Sequence, residues 1–179
     1  MADETKYDIS EILITEEQLR ARVAELGAEI TEDYKGEELF LIGILKGSVP
    51  FMADLMRKIE LPLQIDFMSV SSYGGSTKSS GVVRILKDLD SDIKGKNVII
   101  VEDIIDSGLT LVYLKEYLQS RGPRSLRICT ILDKPSGRKV DIRGDYVGFN
   151  VDNKFIVGYG LDVNQKYRNL PYISWVKTE

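Results

Sequence analysis

The stretch "VIIVEDIIDSGLTL", residues 98 to 111, places three carboxylates after a run of apolar residues and before a Ser-Gly-Leu-Thr step. The apolar run is typical of a strand buried on both faces, and the following "LVYLKEYLQSRG" is typical of a helix. The sequence therefore predicts strand, loop and helix in that order. Open α/β sheets bind their ligands at loops of this kind.

Segments of the same two kinds flank this stretch. Apolar runs predict strands at 39–45, 61–70, 82–86, 97–101 and 125–132. A capping box of Thr15 and Gln18 starts a predicted helix that ends near Gly36, and a second helix has Ser48 as its N-cap. Alternating strands and helices predict an α/β fold with an open, mostly parallel sheet flanked by helices. The 179 residues fit one domain, in which 149–176 forms a flap on the sheet.

The segment "SSYGGSTKSSG", residues 71 to 81, contains five serines and three glycines, which makes it too polar and flexible to pack. Two interpretations are open. The segment is either a mobile hairpin tip or a lid over a reactive site, with Tyr73 as the one large side chain able to cover it.

Composition excludes several classes of function. The net charge of −4 gives no overall attraction to nucleic acid or anionic lipid. Histidine is absent, which rules out Ser-His-Asp and histidine-metal chemistry. No apolar run approaches the roughly 18 residues of a spanning helix, and the acidic start is unlike a secretory signal. We therefore expect a cytoplasmic protein whose single cysteine, Cys129, is buried and inert.

The loop after the central strand has the chemistry of a phosphate site. Gly108 allows close backbone approach, Ser107 and Thr110 supply hydroxyls, and free amides at a helix start favour an anion. The acids Glu102 and Asp103 would repel a bare phosphate but suit sugar hydroxyls or a magnesium ion. These features predict a ligand that is both anionic and sugar-like. The alternative is that the acids merely cap the helix, which three carboxylates in five residues disfavour.

Residues 98 to 110 resemble the phosphoribosyl-pyrophosphate signature of the type I phosphoribosyltransferases. Four other segments occur in that family's order and spacing, and they are similar to its purine branch, the hypoxanthine-guanine enzymes. They are "LIGILKGS" (41 to 48), "SSYGG" (71 to 75), "LDKPSGR" (132 to 138) and "KFIVGYGLDVNQKYRNL" (154 to 170).

The resemblance implies one domain with a core of about 36–148, a hood from the N-terminal segment and about 149–179, and a lid at about 71–81. It implies transfer of the 5-phosphoribosyl group of phosphoribosyl pyrophosphate to N9 of hypoxanthine or guanine, with Mg²⁺ as cofactor. The expected partners are these small molecules and further copies of the chain, in a dimer or tetramer, without nucleic acid or membrane.

The resemblance also implies roles for individual residues. The 5′-phosphate would bind to Asp106, Ser107, Gly108, Leu109 and Thr110, with Asp106 as the catalytic acid/base. Glu102 and Asp103 would hold the ribose hydroxyls, directly or through Mg²⁺. Leu109 departs from the pattern, since some relatives have lysine there, so one phosphate contact is lost.

Pyrophosphate would face Lys46, Gly47 and Arg168, with a cis peptide between Leu45 and Lys46. The purine would bind Lys134, Phe155, Ile156 and Asp162, and Asp162 would also lie near a second Mg²⁺. Ser72 and Tyr73 would belong to the lid. Periodicity alone instead predicts that Phe155 and Ile156 are core residues, and that Lys46 is an ordinary solvated lysine.

Two alternatives remain open for the function. The chain could prefer xanthine, because Lys134 cannot distinguish one 6-oxopurine from another. It could also be a regulator on the same fold that binds nucleotides or RNA without turnover, although the acidic balance and the intact "EDIIDSG" disfavour this.

Overall fold

A computed structural model describes residues 7–9, 11–72 and 83–178. The first part of the chain contains β1 (Tyr7–Asp8), β2 (Ile12–Ile14), α1 (Glu16–Asp33), β3 (Leu39–Leu45), α2 (Val49–Met56), β4 (Leu63–Ser72) and β5 (Val83–Lys87). The second part contains β6 (Asn97–Ile105), α3 (Leu109–Gln119), β7 (Ser125–Asp133), a 3₁₀ turn (Pro135–Gly137), β8 (Tyr146–Asn150), β9 (Ile156–Val157), β10 (Ile173–Trp175) and β11 (Lys177–Thr178).

Six strands form the main sheet in the order β5-β4-β3-β6-β7-β8. All neighbouring pairs are parallel except β4 with β5. The predicted mostly parallel sheet is therefore confirmed. The chain runs from β3 outward to β4 on one side and returns to β6 on the other, so the strand order reverses between β3 and β6. In open α/β sheets the crevice at such a switch point is where ligands bind.

Helices cover both faces of the sheet, which explains why the central strands are apolar throughout. Ile99 and Val101 of β6 pack in the cluster that contains α1 and α2, whereas Val98 and Ile100 pack with α3 on the opposite face. Because successive side chains of a strand point to opposite faces, a strand covered on both sides needs apolar residues at every position. Cys129 of β7 lies fully buried in the first cluster, as predicted, and burial raises the pKa of its thiol.

Helix α1 begins with the predicted capping box. The Gln18 amide donates to Thr15 Oγ1 at 3.2 Å, and the Thr15 amide donates to Gln18 Oε1 at 2.8 Å. The helix ends at Asp33 with Tyr34 as its C-cap, so the predicted end near Gly36 was too late. Gly36 instead belongs to the turn that leads into β3.

The prediction that Ser48 is the N-cap residue of α2 is confirmed, but its side chain does not cap the helix. Ser48 occupies the N-cap position, but its backbone is already helical and its hydroxyl makes no capping hydrogen bond. The hydroxyl is buried without a partner beside Gly43, at 3.2 Å from where a Cβ on that glycine would lie. An N-cap side chain bonds the helix amides from an extended backbone, which Ser48 does not have.

Strand β6 is longer than the sequence suggested. It continues beyond the predicted end at Val101 to Ile105, because Ile104 and Ile105 still pair with Leu132 and Asp133 of β7. Glu102 and Asp103 therefore lie in the last part of a strand and not in a loop. At the other side of the sheet, β4 extends to Ser72, and the predicted lid residue Tyr73 lies outside the described residues.

The segments near the two ends of the described chain pair with each other. Strand β10 lies between β2 and β9 in a three-stranded antiparallel sheet, and β1 pairs with β11. As predicted, the segment after β8 adds no further strand and helix unit to the main sheet. No helix within the described ranges is long and apolar enough to cross a membrane.

The capping box gives a first prediction. Thr15→Ala removes the hydroxyl that accepts from the Gln18 amide, so the free energy of unfolding should fall by about 1 kcal/mol. Urea unfolding followed by circular dichroism measures this loss. Thr15→Ser keeps the hydroxyl and serves as the control, and equal stability of Thr15→Ala and wild type would contradict the assignment.

Candidate active site

Three parallel strands carry the predicted site residues to one edge of the sheet. Lys46 follows β3, Asp106 follows β6 and Lys134 follows β7, and these strands are neighbours in the sheet. Parallel strands end at the same edge, which brings segments far apart in sequence together. This edge lies at the β3/β6 switch point.

The predicted phosphate loop forms a tight entry into α3. Gly108 is the N-cap residue with φ 81°, a left-handed conformation that glycine adopts without strain. A Cβ at this position would lie 2.6 Å from Ile142 Cγ2, so only glycine fits the space. The first amides of a helix have no intrahelical partner. Apart from the Leu109 amide, which donates to Ser107 Oγ at 3.4 Å, the loop therefore presents N–H groups without an intrahelical partner beside the hydroxyls of Ser107 and Thr110.

The acids of β6 occupy different surroundings. Glu102 is buried, and desolvation, followed by the charge of Asp103, raises its pKa well above the usual value. The Asp103 carboxylate accepts from the Ile104 amide at 2.7 Å, yet desolvation still raises its pKa to about 6. Two acids whose charged forms are poorly solvated are expected to gain from a cation or from hydroxyl donors of a ligand.

The helix-capping alternative for these acids is wrong. Within the described chain, no side-chain hydrogen bond joins an α3 amide to Glu102, Asp103 or Asp106. The Leu109 amide donates instead to Ser107 Oγ at 3.4 Å. The carboxylates are therefore left for other interactions.

Two glycines allow close approaches at the loop after β3. One lies against the end of β6, and the other brings the segment at residue 160 against the loop itself. A Cβ on Gly47 would lie 1.6 Å from Asp103 Oδ2, and a Cβ on Gly160 would lie 1.8 Å from the Gly47 carbonyl oxygen. The peptide between Leu45 and Lys46 is cis, as the resemblance implied. The predicted pyrophosphate segment is thereby in contact with one of the predicted ribose acids.

Lys134 and Asp106 lie together at the ends of β7 and β6. Lys134 Nζ is 3.4 Å from Asp106 Oδ2, and the lysine side chain is 11% exposed, whereas that of Asp106 is 52% exposed. The 3₁₀ turn packs against the carboxylate so closely that a Cβ on Gly137 would lie 1.9 Å from Asp106 Oδ1. A buried cation thus stands beside an accessible acid.

Sequence reasoning missed Arg138, although it lies in the quoted segment "LDKPSGR". Its guanidinium forms a mostly buried ion pair with Asp133 and donates to the carbonyl of Ile142. Its Nε also donates to the Asp106 carbonyl oxygen at 3.1 Å. Arg138 therefore ties the backbone of the phosphate loop to the end of β7, a contact between residues 32 apart that no local pattern could indicate.

The predicted pyrophosphate cations meet at a residue that was also missed. Lys46 Nζ and Arg168 Nη2 both donate to Gln165 Oε1, at 3.2 and 3.3 Å. Arg168 also forms a 2.8 Å ion pair with Asp162 and donates to the Gly160 carbonyl at 2.7 Å. Asp162, Arg168 and Lys46 are thus connected, as expected of neighbours in one site.

The remaining predicted residues are not joined to this network. Phe155 is 53% exposed and Ile156 is buried, so the core interpretation holds for Ile156 and is wrong for Phe155. Neither side chain carries a polar group, and within the described residues no ring contact joins Phe155 to the predicted phosphate loop or to Lys134. The backbone of Ser72 ends β4 opposite Val83.

The described residues contain no group of three or more His, Cys, Asp or Glu side chains that could hold a metal ion. Glu102, Asp103 and Asp162 therefore do not form one metal site built by the protein alone. One or two carboxylates, completed by water and substrate oxygens, are the usual protein contribution to Mg²⁺ binding.

The raised pKa of Asp103 has a consequence for stability. The pKa of Asp103 is 3.8 in the unfolded chain and about 6 in the folded protein, so between these pH values the folded state holds the proton more tightly. The free energy of unfolding therefore falls as the pH rises through this range. At pH 7.5 the free energy of unfolding of Asp103→Asn should therefore exceed that of wild type by about 1–3 kcal/mol. Near pH 4 the two proteins should be equally stable. Urea unfolding of ligand-free protein in a chelator measures the difference.

The matched control is Asp141→Asn, which changes an exposed carboxylate. It should leave the pH dependence of wild type unaltered. A constant difference between Asp103→Asn and wild type at both pH values would contradict the raised pKa of Asp103.

Comparison with known proteins agrees with this architecture. Residues 10–164 match the model of the phosphoribosyl transferase domain. The chain is 56% identical to a hypoxanthine-guanine phosphoribosyltransferase of Bacillus subtilis, over 96% of each chain. It is also 56% identical to the enzyme of that name from Mycobacterium tuberculosis (strain H37Rv), covering 93% of this chain and 86% of the relative.

A solved structure of a hypoxanthine-guanine phosphoribosyltransferase from Bacillus anthracis superposes with a TM-score of 0.91 at 52% identity. The match covers 97% of this chain and 100% of the solved one. Family model, sequence identity and fold agree over nearly the whole length, and the chain belongs to the phosphoribosyltransferase family.

Proposed function

We propose that the chain transfers the 5-phosphoribosyl group from phosphoribosyl pyrophosphate to N9 of hypoxanthine or guanine, releasing pyrophosphate and forming IMP or GMP. The observation that carries this proposal is the pairing of Lys134 with Asp106 at 3.4 Å, beside a phosphate loop at the switch point of the sheet. The names of the relatives point to the same substrates.

Lys134 and Asp106 suit one edge of a 6-oxopurine. In guanine, N7 and O6 lie on the same edge, where both accept hydrogen bonds. A lysine ammonium donates to O6 but faces another donor in adenine, whose 6-position carries an amino group. Asp106 Oδ2 lies 3.4 Å from Lys134 Nζ, so the two side chains can face the neighbouring N7 and O6 atoms of one purine. The pair therefore selects 6-oxopurines over adenine.

The phosphate loop and the acids suit the sugar phosphate. Free amides at the start of α3, with the hydroxyls of Ser107 and Thr110, would bind the 5′-phosphate. Glu102 and Asp103, which lie upstream in β6, would accept from the ribose hydroxyls. A ligand with a phosphate at one end and hydroxyls in the middle satisfies both groups.

Glu102, Asp103 and Asp162 also fit Mg²⁺. All three offer oxygen donors, and desolvation raises the pKa values of Glu102 and Asp103, which a nearby cation would counteract. Since too few carboxylates converge to hold the ion alone, substrate oxygens would complete its coordination. When bound, Mg²⁺ supplies positive charge that offsets the charge of pyrophosphate.

The protein's own groups can then promote the transfer. Lys46 and Arg168 would stabilise the negative charge of the departing pyrophosphate as the bond from C1 of the ribose to its oxygen breaks. The ribose becomes oxocarbenium-like and forms the new bond to N9. Asp106 would accept the proton that N7 of the base loses in this step, while Lys134 holds the 6-oxo group.

This assignment predicts the behaviour of Asp106→Asn. Asparagine keeps the shape but cannot accept the N7 proton, so turnover should fall by roughly 10²-fold or more, the usual worth of acid/base catalysis. The KM for phosphoribosyl pyrophosphate should change much less, because the loop amides remain. Steady-state kinetics measures both, and undiminished turnover would remove the role of Asp106.

The function itself is tested with competing bases. Purified protein with phosphoribosyl pyrophosphate and magnesium chloride is given hypoxanthine, guanine, xanthine and adenine, and the nucleotide products are quantified. We expect IMP and GMP and no AMP. Preference for xanthine would correct the substrate, and no product from any base would favour the regulator alternative. The predicted dimer or tetramer stays a prediction.

A further inference from the structure

Gln165 lies in a turn that does not favour glutamine. The amide and carbonyl groups of Val163 and Lys166 bond each other, at 3.2 and 3.0 Å, around Asn164 and Gln165. Both central residues have positive φ, 51° and 64°. A turn of this kind prefers Asn followed by Gly, because a side chain in the left-handed region is strained. Asn164 follows the preference and Gln165 does not.

The side chain of Gln165 joins two cations. Its Oε1 accepts from Lys46 Nζ at 3.2 Å and from Arg168 Nη2 at 3.3 Å. Lys46 lies 119 residues away in sequence, and within the described ranges Gln165 is the only hydrogen-bond or ion-pair partner of its ammonium group. The turn thus holds an acceptor between two like charges that would otherwise repel each other.

We propose that Gln165 is a positioning residue that holds Lys46 and Arg168 ready for the pyrophosphate group, an inference that rests on the proposed function. An amide oxygen has two lone pairs and can accept from both cations at once. It carries no net charge, so it fixes the two cations without cancelling the attraction that they exert on an anion. A glycine at this position would relieve the turn but leave Lys46 without a partner.

Two substitutions separate this role from a structural one. Gln165→Met keeps the length and the strained backbone but lacks the amide oxygen, whereas Gln165→Gly lacks the oxygen and relieves the strain. Both should weaken binding of pyrophosphate with magnesium chloride, and raise the KM for phosphoribosyl pyrophosphate, by about five- to tenfold. The KM for hypoxanthine should change by no more than about twofold, less than the loss of one weak hydrogen bond would cause, because Gln165 is proposed to act on the pyrophosphate and not on the base.

Calorimetry measures pyrophosphate binding, and thermal unfolding measures stability. Gln165→Gly should unfold at a higher temperature than Gln165→Met although both bind pyrophosphate weakly. If pyrophosphate binding instead followed stability, with Gln165→Gly binding like wild type, the inference would be overturned. Asn164→Gly, which alters the neighbouring turn position, should bind pyrophosphate like wild type.

Gln165→Glu tests the need for a neutral acceptor. Glutamate can still accept from both cations, so the fold should be at least as stable, but its charge competes with the ligand and pyrophosphate should bind more weakly. Binding as tight as in wild type would overturn the requirement for neutrality.

The reference variants are Lys46→Met and Arg168→Met. If they bind pyrophosphate like wild type, the pyrophosphate assignment within the proposed function fails. If they bind it weakly while Gln165→Met and Gln165→Gly bind normally, only the inference about Gln165 is overturned.

Discussion

The site depends on two close approaches at glycines, one between backbone segments and one between backbone and a carboxylate. Gly47, after β3, lies against the Asp103 carboxylate at the end of β6, and Gly160 lies against the Gly47 carbonyl. A Cβ at Gly160 would lie 1.8 Å from the Gly47 carbonyl oxygen and would force these two backbone segments apart, whereas a Cβ at Gly47 would displace the Asp103 carboxylate. Because cores and packed loops deform little, that separation would carry Arg168 away from Asp103. The positions of Lys46 and Arg168 relative to Asp103 therefore depend on having glycine at residues 47 and 160.

The other half of the site is held by side chains. Parallel strands bring Asp106 and Lys134 to neighbouring positions, but a strand end alone does not fix a loop. Arg138 does so by donating to the Asp106 carbonyl while it pairs with Asp133. A mostly buried guanidinium needs all of its donors satisfied, so its geometry is well determined. The accessible carboxylate of Asp106 thus projects from a backbone that is itself fixed.

The sequence predicted the fold class and most strand positions because these follow from local pattern. Strand β3 was placed at its observed bounds, since seven apolar residues end at a lysine. Strand β6 was cut short, because Glu102 and Asp103 look like loop residues and only pairing with β7 reveals that they belong to the sheet. The same limit applies to Arg138 and Gln165. Their partners lie 32 and 119 residues away, a distance that no periodicity reports.

Phe155 shows a different limit. An aromatic residue followed by apolar ones predicts burial, yet its side chain is more than half exposed while Ile156 is buried. The two residues of β9, Ile156 and Val157, are both buried, and Phe155 lies just before this strand, where its side chain faces outward. Single exposed apolar side chains are common on protein surfaces, so the exposure leaves the Phe155 ring accessible, and the stacking role that the family resemblance implied stays a prediction.

The charges of the site are arranged so that the two pyrophosphate cations are held by different means. Arg168 is paired with Asp162 at 2.8 Å, so an incoming anion must share it with a carboxylate. Among the residues that the structure describes, the Lys46 ammonium bonds only the neutral oxygen of Gln165, so an anion can approach it without displacing a charged partner. Asp103 lies against Gly47, and desolvation raises the pKa values of both Asp103 and the preceding Glu102, although the charge of Arg168 partly offsets this at Asp103. An anionic ligand that arrives with a divalent cation would therefore bring a negative charge to the cations and a positive charge to the acids, as the proposed function requires.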